Sequence, residues 1–559
     1  MAFVASVAAQ EPAYGRRPTP QPAPQPADVC ESPLKVHHPE SKVLGKWSTY
    51  TGKPQTNRRG CRPKKNFVFM ISDGFGIASE TIAREFYQWQ THGSDAAAMA
   101  DVDDILPLDA LHVGSVRTKA SDSWVTDSAA SATSFASGIK TANGAIGVDQ
   151  REIPVATILE AAKQHGYLTG LVATSRITHA TPAGFSAHVT TRDQEDLIAV
   201  HQIGDNPLGR SVDLMLGGGR RHFQPNTTRG GTRRDGRDLI AEGRNKFGWK
   251  SFIETRQELV QLPKTKAALP LLGLFAASHM DYEIDRNATA QASLAEMTDA
   301  ALTILADASS ECDSPGFFLM VEGSRIDHAA HANDAPTHIY DILAYQHAVS
   351  VVKSFVRANP NTGAISTSDH ETGGVGKGWQ VDRNRDQKFY YAWNPDKIAT
   401  QKASIESFSS TITRFNGTDV AGFIRRTVAD RLGVTDLTDA ELARLIQGRD
   451  DAIARRYPGV FSMDNALSTL ISTRSLVGFN TNGHTGQDVE LYAINAPGLR
   501  GNMDNTYVAK YAGQFLGVWD SIPALSQRLR GMNVGPSRNS QPKVKRSFSE
   551  REYHVHHEH

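Results

Sequence analysis

From Asn66 onward, short apolar runs alternate with helical patterns. Phe67-Val-Phe-Met-Ile71 is unbroken apolar sequence that stops at Ser72-Asp73-Gly74, the pattern of a buried parallel strand opening into a loop. Similar runs are Tyr167–Thr174, Val212–Leu216 before Gly217–Gly219, Phe317–Val321 before Glu322-Gly323, Ala364–Thr367 before Ser368-Asp369-His370, and Val489–Ile494. Between them, Ile342, Tyr345, Val349, Val352 and Val356 form an apolar stripe at helical spacing. Strands alternating with helices predict an α/β fold, a three-layer α/β/α sandwich around a largely parallel, doubly wound sheet. Open α/β sheets place their sites beyond the carboxyl ends of strands, and Asp73, Glu322, Asp369 and His370 fall there.

The pattern also suggests boundaries. Residues 1–62 read as a Pro-rich extension and linker, with Pro18–Pro26 in extended polyproline form. An α/β core is expected over 63–375, an insertion or cap over 376–475 where the strand–helix rhythm fails, completion of the core over 476–535, and a disordered basic, His-rich tail over 536–559. The apolar run Ala267–Ala277 contains Pro270 and Gly273 and is far short of the roughly 20 residues of a membrane span. Met1–Ala9 is apolar but lacks a basic flank, so neither a signal peptide nor a membrane anchor is visible.

Composition narrows the classes. Lys+Arg and Asp+Glu balance at 60 each, so no global charge points to nucleic acid or an acidic membrane. The 20 His suit metal chemistry, whereas 3 Cys cannot build a disulfide scaffold or a Cys-rich zinc site. One Cys30–Cys61 bridge is possible near the start of the fold. Sequons at Asn226, Asn287 and Asn416 favour the secretory pathway.

In Asp127-Ser128-Ala129-Ala130 a carboxylate and a hydroxyl stand side by side before small, helix-compatible residues. Ser128 can sit at a helix N-terminus, where free N–H groups favour an anion. A serine hydroxyl needs an activator, and a metal ion is one option. Asp327 and His331, four residues apart, share one helix face and can grip one ion. His328 and His338 beside them read as bystanders. Asp369-His370, before Gly373-Gly374, can reach one ion if the strand bends there, and His484 lies between glycines at 483 and 486. These supply ligands enough for two zinc sites, with Asp73 as a bridge. Asp73, Thr181 and Glu322 form a harder, all-oxygen set suited to Mg²⁺. Arg192 can offer a planar fork to phosphate.

In these motifs, Ser72-Asp-Gly74, Val125-Thr-Asp-Ser-Ala-Ala130, Thr178-His-Ala-Thr-Pro-Ala183, Val321-Glu-Gly-Ser-Arg-Ile-Asp327, Thr367-Ser-Asp-His370 and Gly483-His-Thr-Gly486, the chain resembles the alkaline phosphatase family, especially its fungal vacuolar type. The resemblance runs from about Asn66 to the Val489 strand. It implies hydrolysis of phosphate monoesters through a phosphoserine at Ser128, with Arg192 on the phosphate. It further implies two Zn²⁺, one on Asp327, His331 and His484 and one on Asp73, Asp369 and His370, and one Mg²⁺ on Asp73, Thr181 and Glu322. The completion segment would thus carry the last zinc ligand. His179 stands where family members carry an acidic residue or histidine, so His179 and Asp127 are expected beside the ligands. A homodimer and a vacuolar, secretory or extracellular location are also implied. The alternatives are a superfamily phosphodiesterase or sulfatase, for which Cys61-Arg-Pro-Lys-Lys65 is a poor formylglycine motif, or a non-catalytic metal-binding protein.

Overall fold

The computed structural model describes residues 46–56, 60–100, 105–380, 391–454 and 459–538. Most of the Pro-rich extension with Pro18–Pro26, Cys30, and the His-rich tail lie outside the described residues. The core is a ten-stranded sheet. Its strands are β1 (Asn66–Ser72), β2 (His112–Arg117), β3 (Leu168–Arg176), β4 (Leu214–Gly218), β5 (Ser251–Ile253), β6 (Leu271–Leu274), β7 (Phe317–Gly323), β8 (Thr362–Thr367), β9 (Val489–Ile494) and β10 (Gly501–Asp504). They lie in the order β10-β2-β9-β8-β1-β7-β3-β4-β6-β5. All run parallel except β9, which is antiparallel to both β2 and β8.

Alternation along the strands builds the three layers. On β1, Val68 and Met70 join a core with the helices Ile77–His92, Leu294–Ala308 and Ala335–Ala358. Phe67, Phe69 and Ile71 point to the other face, onto the helices Ser128–Ser137, Ile158–Gln164, Ala180–Ser186 and Asn505–Leu516. A strand covered on both faces must be apolar at every position, which is why β1, β3, β7 and β8 stand out in the sequence. β1, at the centre, pairs with β7 and β8 in register, so Ile71 lies beside Glu322 and Thr367. The three strands therefore end together, and their loops meet.

The helices Ile405–Arg414, Val420–Leu432, Asp439–Ile453 and Gly459–Ser475 pack on an apolar cluster of their own, including Ile405, Phe408, Ile424, Val428, Leu445, Met463 and Leu467. Asp334, the N-cap of Ala335–Ala358, accepts from the Ile405 N–H at 2.7 Å and joins this unit to the core.

The suggested Cys30–Cys61 bridge is corrected. Cys61 is bonded to Cys312, with Cα atoms 4.7 Å apart. The two cysteines precede β1 and β7, adjacent strands that start at the same edge of the sheet, and this brings together residues 251 positions apart. Bonded Cys61 cannot serve as a formylglycine precursor.

Candidate active site

Asp127, not Ser128, caps the helix Ser128–Ser137. Its Oδ1 accepts from the Ala130 N–H at 2.9 Å, and Oδ2 accepts from the Gly144 N–H at 2.9 Å. With the cap supplied by its neighbour, the Ser128 hydroxyl is free to face the site, where Oγ lies 3.1 Å from His370 Nε2. Arg192 reaches the same helix end: one guanidinium nitrogen is 3.1 Å from Asp127 Oδ2, the other 3.0 Å from His179 Nε2.

The end of β8 bends as the glycines predict. Ser368 Oγ donates to the Ser72 carbonyl and accepts from the Phe75 N–H at 3.0 Å, clipping the ends of β1 and β8 together. Asp369 and His370 then turn to one point, with His370 Nε2 3.2 Å from Asp369 Oδ2 and 3.6 Å from Asp73 Oδ1. Gly74 has φ +78°, and a Cβ there would stand 2.6 Å from Asp327 Cα. Only glycine lets the helix Arg325–His331 approach Asp73 this closely.

On that helix, His331 Nε2 is 3.2 Å from Asp327 Oδ2. His484 arrives on a short strand, His484–Thr485, paired antiparallel with Glu371–Thr372, and lies 3.6 Å from Asp327 Oδ1 and 3.2 Å from His331 Nε2. The His331 Nδ1 faces the Asn482 carbonyl, and the His484 Nδ1 faces the Thr126 carbonyl at 2.8 Å. A carbonyl accepts only, so in the neutral form of each ring Nδ1 carries the proton and Nε2 presents a lone pair. Two lone pairs and a carboxylate thus converge.

Asp73, Glu322, Asp369 and His370 are wholly buried. Neither Asp73 oxygen, nor Asp369 Oδ2, completes a hydrogen bond. Burial, then the charges of Asp369, Asp327 and Glu322, pushes Asp73 well above the usual carboxylate range. Burial likewise raises Glu322 to about 7 and Asp369 to about 6. Asp327 is held well below its ordinary value: burial opposes ionisation, but His331, His484 and His370 outweigh it. Thr181, in Ala180–Ser186, sits beside Glu322. Packed carboxylates without enough donors are expensive for a protein unless cations neutralise them. The donor set fits divalent ions: Asp327, His370 and His484 form one group with ligand atoms in mutual reach, and Asp73, Asp369 and His370 another.

The structure therefore gathers Asp73, Asp127, Ser128, Arg192, Asp327, His331, Asp369, His370 and His484 at one site, with Glu322 near Asp73 and Thr181 beside Glu322. His338 is a bystander, bonded to the Ile326 carbonyl and Ser79. His328 is not remote. Its ring lies 5.4 Å from that of His179 and 4.4 Å from that of His279, a residue that sequence reasoning missed. Each of these three rings faces an arginine: Arg192 at His179, Arg176 at His279 and Arg325 at His328. Arg325 also stacks 3.6 Å over Tyr282 and pairs with Glu406 at 3.2 Å, tying the Asp327 helix to the helical unit that begins at Ile405.

Comparison with known proteins agrees with this geometry. The family model for alkaline phosphatase matches residues 64–518. The chain is 43% identical over 486 residues to the repressible alkaline phosphatase of Saccharomyces cerevisiae, covering 82% of each protein. It is 39% identical over 497 residues to an alkaline phosphatase of Schizosaccharomyces pombe, covering 88% of each. The crystal structure of Thermus thermophilus alkaline phosphatase superposes with a TM-score of 0.67 at 30% identity, over 84% of this chain and 94% of that one. The chain belongs to the alkaline phosphatase family and is a phosphatase of phosphate monoesters.

Proposed function

We propose that the protein cleaves monoesters through a covalent phosphoserine on Ser128, in a site built for two zinc ions and one magnesium ion. The observation that carries this reading is the Ser128 hydroxyl 3.1 Å from His370 Nε2, beside the unsatisfied oxygens of Asp73 and Asp369. Asp327, His331 and His484 would hold one zinc ion, Asp73, Asp369 and His370 the second, and Asp73, Thr181 and Glu322 magnesium. When bound, such ions supply Lewis-acid charge at the attacking and leaving oxygens and acidify a water.

The chain's own groups do the rest. Arg192 and the N–H groups at the start of Ser128–Ser137 stabilise the non-bridging oxygens, where charge accumulates. Asp127 fixes that helix end and the arginine together. Ser128 Oγ bonds to phosphorus as the ester P–O bond breaks and the alcohol departs. Water then attacks the phosphoserine from the vacated side, releasing phosphate and restoring the hydroxyl. Two in-line displacements give net retention at phosphorus.

The same reading places the protein in the vacuolar or secretory route. The Cys61–Cys312 bond suits an oxidising compartment, and Asn226, Asn287 and Asn416 are all exposed. Among the described residues no helix is long and apolar enough to cross a membrane. A homodimer is proposed from the family resemblance alone.

The test is Ser128→Ala. Turnover of an aryl phosphate should fall at least about a thousandfold, with zinc content by elemental analysis unchanged. Near-normal turnover would reject Ser128 as nucleophile.

A further inference from the structure

Just outside the buried site the chain presents an aromatic side chain to solvent. Trp124 is 81% exposed and Val125 36%, whereas Thr126 is 1% and Ser128 2% exposed. The loop carrying Trp124 is ordered by several contacts. The Val125 carbonyl accepts from Asn143 Nδ2 at 3.0 Å, and Asn143 Oδ1 accepts from the Asp127 N–H at 2.9 Å. It packs on the loop that delivers His484: Thr126 receives His484 Nδ1, and a Cβ on Gly486 would stand 3.4 Å from the Trp124 carbonyl.

Exposure rises from the floor of the site towards the loops that meet at the Ser128 helix end. Asp73, Asp369 and His370 are 0% exposed and the His484 side chain 3%, whereas the Arg192 side chain is 15% exposed and Gly486 and Trp124 face solvent. The mouth therefore opens on the side of these loops, where Trp124 stands. In an in-line displacement the alcohol lies opposite Ser128 Oγ, and it must extend towards the opening. The Lys119 ammonium lies 5.1 Å from the centroid of the Trp124 ring, so the rim joins an aromatic face to a cation. Single exposed apolar residues are common. Here the place at the mouth and the adjoining charge give the indole a use.

We propose that Trp124, with Lys119 beside it, is a specificity-determining residue that stacks on substrates whose alcohol bears a planar aromatic group, aryl or nucleobase. The anionic ester is drawn in by Lys119, and the ring lies against Trp124. A flexible polyol phosphate gains nothing from that face. This inference rests on the reading of Ser128 as the reacting group.

The experiment measures kcat/KM of the full-length, metal-replete enzyme for phenyl phosphate and for glycerol phosphate. Trp124→Ala should lower the phenyl phosphate value about fivefold, the order expected of one lost stacking contact, and leave glycerol phosphate within about twofold. Trp124→Phe should recover most of the loss. Ki values for phenylphosphonate and methylphosphonate should diverge in wild type and converge in the Ala variant. Equal losses for both esters, or no loss for either, would overturn the proposal. A changed oligomeric mass in Trp124→Ala would assign the indole to a subunit contact and also overturn it. Wild-type enzyme that hydrolyses neither ester would instead fail the phosphatase reading itself.

Discussion

Around Ser128, four carboxylates, Asp73, Glu322, Asp327 and Asp369, are at most 3% exposed and crowd one another. In the helical unit over 395–475, charge is handled differently. Thr438 and Glu441 form a capping box, Asp419 caps Val420–Leu432, and Arg426–Asp419 and Arg474–Glu441 pair at or near the surface. Its interior is apolar. This helical unit holds itself together by hydrophobic burial and helix capping, forces present in any small helical domain. The pocket floor concentrates carboxylates that bound cations or protons must neutralise, so metal binding and integrity of the site are linked there.

The largest break in that contrast comes from the floor. His331→Ala and His370→Ala should each cut activity by more than about a hundredfold and lower bound zinc, because each removes one of the few imidazoles of the proposed zinc sites. Glu441→Ala in the helical unit, which removes half of a capping box, should cost about 1 kcal/mol of stability and leave turnover within about twofold. Elemental analysis, thermal denaturation and steady-state rates read both arms. Full zinc and normal rates in the two His variants would place the ligands elsewhere.

A smaller effect is expected where the helical unit departs from its own rule. Asp464 is a fully buried carboxyl in it, raised by burial to about 7. Its proton is bound more tightly in the folded state, so stability is fully present below the unfolded value near 4 and is lost as pH rises to about 7. The shift from 3.8 to about 7 sets an upper bound of roughly 4 kcal/mol. Asp464→Asn should therefore gain about 1–2 kcal/mol over wild type at pH 8, with the gap closing towards pH 4. Melting curves across that range check it; a constant difference at all pH values would reject the assignment.

The smallest effect concerns His179, held well below its ordinary value by burial and by Arg192 and Arg176. A neutral imidazole adds no charge for a hard cation, whereas a carboxylate does. His179→Asp should raise magnesium affinity about tenfold. Titration of metal-stripped, zinc-reloaded enzyme measures it, and identical affinities would remove position 179 from any role at that site.

Much of the pocket was legible because burial on both faces writes a parallel strand as an apolar run, and the reactive residues sit where those runs stop. β1, β3, β7 and β8 with Asp73, Glu322, Asp369 and His370 are legible in this way. β2 and β10, His112–Arg117 and Gly501–Asp504, are partly exposed and carry no apolar run. β9 reads as a strand, but its direction is a property of its neighbours. β6 was hidden inside the run Ala267–Ala277. Cys61–Cys312 and the approach of His279 to His179 and His328 are made by strand order, which local sequence does not encode. That Asp127 rather than Ser128 is the cap follows from one hydrogen bond, although both residue types suit the position.

The central claim is that a buried floor of carboxylates and imidazoles arms one serine for covalent catalysis. Trapping that serine tests it most directly: brief turnover of a radiolabelled monoester by metal-replete enzyme, quenched in acid, with the label mapped by peptide sequencing. The account predicts label on Ser128, absent from Ser128→Ala, whose zinc content is unchanged. Label on any other residue, or turnover that survives in Ser128→Ala, would contradict it.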